Sequence, residues 1–135
     1  MIQPEERKHL ILLRLQQADE CISDAEHSIQ HLRHRMAANR IYYGMFYAML
    51  ALGLLRQFET SKHQQIIGWF NKNFLHTGIF PKHFGRMVKD AFEIRVDSDY
   101  KPTRAPTAPD LEAHLADMKL FISTCLLYTS DAADE

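Results

Sequence analysis

Fifteen residues without a charge, IYYGMFYAMLALGLL (Ile41–Leu55), lie between Arg40 and Arg56. A run this apolar on every side can be stable in water only if other elements cover all its faces. It is too short to span a bilayer, which takes about 20 residues as a helix. Arg40 and Arg56 close it at both ends, and no other segment is comparable. The run therefore reads as the central helix of a bundle, from about Met36 to Gln57. Ala37, Gly44, Ala48 and Ala51 give that helix a strip of small residues along which neighbouring helices can come close.

The rest of the chain supplies the cover. Ile11, Leu15, Ala18, Ile22, Ala25, Ile29 and Leu32 are spaced 4-3-4-3-4-3, a heptad seam on one long first helix. A third helix is predicted over about Lys62 to Leu75, with Ile66, Ile67, Phe70 and Phe74 inward. HTGIFPK (His76–Lys82) holds Gly78 and Pro81, a stop and a restart. A fourth helix covers about Lys82 to Asp97. YKPTRAPTAPD (Tyr100–Asp110) contains three prolines and reads as an extended connection. Leu111, Leu115, Met118 and Ile122 then open a fifth helix. No segment alternates as a strand does. The expectation is an all-α, up-and-down bundle of four to five helices in a single domain, residues 1–124.

The last residues, CLLYTSDAADE (Cys125–Glu135), reverse-translate over their whole length into a transposon-type sequencing-library adapter. They are expected to be a non-native tail that packs little, so that the natural C-terminus lies beyond reach after about Thr124. They carry Asp131, Asp134 and Glu135; without them 14 acidic residues stand against 16 basic ones, a net charge of +2. That balance neither requires nor excludes nucleic acid. Cys21 is then the only native cysteine, and a reducing, cytoplasmic setting follows. Met1–Lys8 leads into the amphipathic pattern with no secretory signal.

Eight histidines raise the question of metal. His27, His31 and His34 share a helical face, but no carboxylate or cysteine completes a set, and Arg33 and Arg35 would repel a cation. No zincin, paired-cysteine, phosphate-loop or nucleophile-elbow motif is present, so neither metal nor cofactor is expected. The chemistry concentrates in NRIYY (Asn39–Tyr43) and RVDSDY (Arg95–Tyr100), each with arginine near tyrosine. Phe84, Val88, Ala91 and Arg95 share one helical face, so an apolar stripe runs into a permanent cation. A guanidinium near a core needs a carboxylate or an anionic ligand. One reading is a structural network in which Arg40 or Arg95 pairs with Asp99, capped by Tyr100. The other is a site where arginine meets phosphate, with Arg95 reaching a partly open cleft and Asp99 or Asp97 holding it.

AANRIYYGMFYAMLALGLL (Ala37–Leu55), KHQQIIGWFNKNFLHTGIF (Lys62–Phe80) and FEIRVDSDY (Phe92–Tyr100), in that order, resemble the HEPN superfamily, and most closely its small stand-alone prokaryotic branch. The likeness runs from about Glu6 to Ile122. It implies a helical homodimer in a toxin–antitoxin arrangement with a minimal nucleotidyltransferase encoded nearby, and contact with RNA or nucleotide phosphate. Many members are metal-independent RNases, with four to six residues between a motif arginine and a histidine. Arg95 matches the arginine; Tyr100 stands where the earliest histidine would. Tyrosine, with a reference pKa of about 10, is a poor base at neutral pH. In some members a tyrosine just after the motif histidine accepts AMP from the partner, and Tyr100 lies near that place.

Three functions follow. The first is a HEPN-type dimeric, toxin-like partner of a nucleotidyltransferase, in which Arg95, Arg40 and Tyr100 contact RNA or nucleotide while Asp99 and Tyr43 support them. The second is a metal-independent RNase using Arg95 with a histidine from elsewhere, His63 or His83. The third is an interaction module without a ligand.

Overall fold

The computed structural model describes residues 2–101 and 105–133. Five helices follow in order: α1 (Pro4–Gln30), α2 (His34–Leu55), α3 (His63–Phe70), α4 (Phe84–Tyr100) and α5 (Ala108–Ala133). A π-helical turn, Asn71–Leu75, continues α3, with the His76 amide donating to the Asn71 carbonyl at 2.9 Å. Among the described residues there is no strand, and no helix is long and apolar enough to cross a membrane.

The uncharged run lies at the centre, as its composition demands. α2 packs against all four other helices, and within Ile41–Leu55 only Tyr43, Tyr47 and Leu55 are not buried. Gly44 sits where α1, α2 and α5 meet. A Cβ there would lie 2.3 Å from Met118 Cε and 3.2 Å from both Cys21 Cβ and Ile122 Cδ1. Hydrogen is the only side chain that leaves this crossing undisturbed.

The seam of α1 is buried at Ile11, Leu15, Ala18, Ala25 and Ile29, but its last expected member is not. Leu32 lies outside the helix, 76% exposed, with φ of 58°. The Arg33 amide donates to the Ser28 carbonyl at 2.7 Å and the Leu32 amide to Ile29 at 3.1 Å. This is a Schellman end, in which the residue after the cap turns left-handed. α2 ends the same way: Gln57 has φ of 63°, and the Phe58 amide donates to the Gly53 carbonyl at 2.8 Å. Glycine usually marks that position, and neither Leu32 nor Gln57 announces it. α4 runs to Tyr100, three residues past its expected end, because side chains four apart pair along it (Arg95 with Asp99, Asp97 with Lys101) and no breaker stands before Pro102. Of the expected extended connection, residues 102–104 lie outside the described part, and its last residues, Ala108–Asp110, already belong to α5.

The expectation that Cys125–Glu135 packs little is overturned. α5 continues through it to Ala133, and the Cys125 and Thr129 side chains are buried. Tyr128 meets Phe74 and Phe80 edge-on at 5.1 and 5.7 Å. The Arg56 guanidinium lies 4.7 Å from the Phe74 ring and donates to the Tyr128 hydroxyl. The reason is periodicity: Leu111, Leu115, Met118 and Ile122 aim the next seam position at Cys125, whatever codons encode it.

Candidate functional site

α2 turns Tyr42 into the bundle and leaves Arg40, Tyr43 and Tyr47 half-buried along one edge. Beside that edge α4 brings Phe92, Arg95 and Asp99, three and four residues apart. The Arg95 guanidinium lies 5.2 Å from the Tyr43 ring centre and 5.6 Å from that of Tyr42. Its Nε is buried without a hydrogen-bond partner. The nearest carboxylate oxygen, Asp99 Oδ2, stands 3.7 Å away, an ion pair too long to be a hydrogen bond. Asp97 is turned to Lys101 instead, at 3.3 Å.

Arg40 approaches the same Tyr43 ring, at 5.5 Å. Its Nε and Nη2 both donate to Asn39 Oδ1, at 3.0 and 2.6 Å, and its Nη1 lies 3.8 Å from Cys21 Sγ. Burial pushes the Cys21 thiol up while Arg40 pulls it down. Two guanidinium groups thus share one tyrosine. Among the described residues, neither has a carboxylate within hydrogen-bonding distance.

His63, the first residue of α3, completes the cluster. Its Nδ1 is 2.7 Å from the Tyr42 hydroxyl, and its ring lies flat on Phe46, centroids 4.2 Å apart and planes 8° apart. Burial, and then the Arg95 charge, lower the His63 pKa from its usual value. Burial pushes the Tyr42 hydroxyl up to about 12, against an opposing pull from Arg95. At neutral pH the pair is a phenol and a neutral imidazole, and either can donate. If Tyr42 donates, Nε2 of His63 carries the proton and is a donor. If Nδ1–H donates, Nε2 is a free base.

The structure thus brings Arg95, Arg40, Tyr43 and Asp99 together. It does not bring in Tyr100, which is 76% exposed and caps nothing among the described residues. Nor does it bring in His83, which lies before the first turn of α4 against Phe84, three turns from Arg95. His27 and His31 stack on each other at 4.0 Å. Among the described residues no group of three or more His, Cys, Asp or Glu side chains could hold a metal.

Residues 11–128 match the sequence model of the HEPN domain. The chain belongs to the HEPN domain family. This HEPN protein is 36% identical over 95 residues to a "UPF0332 protein" of Thermotoga maritima, covering 70% of this chain and 72% of the relative. It is 28% identical over 105 residues to "Putative toxin MJ0605" of Methanocaldococcus jannaschii, covering 78% of each. A second protein of that organism, "Putative toxin MJ0142", is 27% identical over 89 residues, covering 66% of this chain and 60% of the relative.

Two residues of this HEPN site, both within NRIYY, were given no role of their own in the sequence reading. Tyr42 had a signal: a tyrosine on the buried side of an apolar helix needs a partner for its hydroxyl. Asn39 had none beyond adjacency to Arg40. Its importance comes from the bidentate hold on that guanidinium.

Proposed function

We propose that this HEPN protein is a toxin-like homodimer that binds RNA or nucleotide phosphate through Arg95 and Arg40 and works with a minimal nucleotidyltransferase in the cytoplasm. One observation carries the phosphate contact: Arg95 Nε is buried with no hydrogen-bond partner and only a 3.7 Å carboxylate nearby. An Nε shielded from water is costly until an acceptor meets it, and the planar fork of the partly exposed guanidinium suits phosphate. Arg40, with Asn39 for company, adds a second cation to the same edge. The toxin-named relatives support the toxin-like role. The homodimer and the nucleotidyltransferase partner rest on the family resemblance, as does Tyr100 as an AMP acceptor, whose 76% exposure suits it for modification.

The test is a titration with single-stranded RNA at several salt concentrations. Each arginine that contacts a phosphate should contribute about 0.7 to the slope of log affinity against log salt. Arg95→Ala and Arg40→Ala should each weaken binding and flatten that slope. Unchanged affinity and slope in Arg95→Ala would overturn the phosphate reading.

The Tyr42–His63 pair favours a second reading, a metal-independent RNase. In this reading His63 stands in for the missing motif histidine: burial and the Arg95 charge favour its neutral form, and it acts through Nε2. RNA cleavage in EDTA that disappears in both Arg95→Ala and His63→Ala would establish it. An uncleaved substrate would leave binding alone.

A further inference from the structure

A cleft of about 570 Å³ opens beside the Arg40–Tyr43–Arg95 cluster, where the end of α1, the start of α2 and the end of α4 meet. That volume lies in the usual range of about 300–1,000 Å³ for small-ligand sites. Asp24 and His27 line it from α1, Asn39 and Arg40 from α2, and Asp99 from α4. Its wall mixes these polar groups with the apolar side chain of Met36. It is lined by Arg40, one of the two arginines that would hold phosphate, and by Arg35; Asp99 links it to Arg95.

Asn39 is the fixed element of this wall. Two donor bonds from Arg40 commit its carbonyl oxygen and so settle which way the amide is turned. Its Nδ2 donates to nothing among the described residues and calls for an acceptor. Asp24 supplies the opposite chemistry, a carboxylate with no ion pair within 4 Å among the described residues. Asp99 is less suited to read a ligand's donors, since the Arg95 charge stands 3.7 Å from it and offsets part of its own. The His27 ring, exposed on its stack with His31, gives the cleft a flat flank.

We infer that this cleft is a base-reading subsite for guanine, adjoining the phosphate grip. The inference rests on the phosphate reading above. Guanine alone among the four bases presents an acceptor, O6, beside two adjacent donors, N1–H and N2–H, on one edge. O6 accepts from the fixed Asn39 amide, and the two donors meet the Asp24 carboxylate. Uracil and cytosine would turn O2, and adenine N1, toward that carboxylate. Lone pair would then face charge, which rejects as well as fails to attract.

The probes are 2′-O-methyl uridine pentanucleotides with a central guanosine, inosine, adenosine, cytidine or uridine, which cannot be cut through a 2′-hydroxyl. Their binding to the full chain is read by fluorescence anisotropy. The guanosine strand should bind about tenfold more tightly than the adenosine, cytidine and uridine strands, as expected for one good bidentate base contact. Inosine, which lacks the N2 amino group, should fall between. Asp24→Asn and Asn39→Ala should each bring the guanosine strand down toward the uridine strand. Equal binding of all five strands, still lost in Arg95→Ala, would overturn this inference and leave the phosphate reading standing. Failure of every strand to bind would overturn both. Equal affinity of guanosine and inosine would remove the N2–H contact to Asp24, and with it the two-donor reading that singles out guanine, without needing any variant to fold.

Discussion

The Tyr42 hydroxyl and Nδ1 of His63 meet at 2.7 Å, tying the centre of the bundle to the first residue of α3. This contact joins folding to titration. The His63 pKa is lowered in the fold by burial and by Arg95, so the folded state prefers neutral imidazole. Below the reference value of about 6.5 the unfolded chain binds a proton that the folded chain resists. Stability therefore falls as pH drops from about 6.5 toward the lowered folded value, and it is constant in this respect above that window. Thermal melts of wild type and His63→Asn between pH 5 and 8 check this. The variant should lose part of the acid-side slope, and identical slopes would show that His63 does not carry it.

Arg95→Ala should destabilise only modestly. The Asp99 pair is long and its carboxylate is 40% exposed, so solvent screens it. What is lost is mainly the contact of the guanidinium with two tyrosine rings, about 0.5–1 kcal/mol each. Urea unfolding should show a loss of about 1–2 kcal/mol, well short of the roughly 3–5 kcal/mol for breaking a buried ion pair. A loss in the larger range would mean that Arg95 is structural.

Leu32→Gly should stabilise. Leu32 is left-handed at φ of 58° and 76% exposed, so its side chain contributes little packing while its Cβ strains the turn. Relief of that strain exceeds the extra chain entropy of glycine by about 0.5 kcal/mol. A small rise in melting temperature is the expected outcome, and a fall would reveal a contact made by the leucine in solution.

Removing Cys125–Glu135 should lower the melting temperature by several degrees. Truncation uncovers Phe74 and Phe80, takes away buried Cys125, and frees Arg56 from Tyr128. Tyr128→Ala in the full chain should reproduce part of the effect, about 2 kcal/mol, through lost ring contacts. Unchanged melting on truncation would show that the rest of the bundle closes without this segment.

By itself, the sequence determined the helices and their order. An uncharged run that must be covered, and three apolar seams of helical spacing to cover it, leave few alternatives to a bundle around α2. It also singled out Arg40, Tyr43, Arg95 and Asp99, because cations beside an apolar face are conspicuous in one dimension. The two Schellman ends stayed hidden because Leu32 and Gln57 stand where glycine would mark the turn. Only the tertiary structure decided the partners. His63 lies 21 residues from Tyr42, and no periodicity connects them. Their meeting depends on how α3 docks on α2. The packing of α4 on α2 leaves Tyr100 in solvent while its neighbour along the chain, Asp99, lines the cleft. Local spacing fixes which face of a helix a residue occupies; what that face meets is set by the packing of the whole chain.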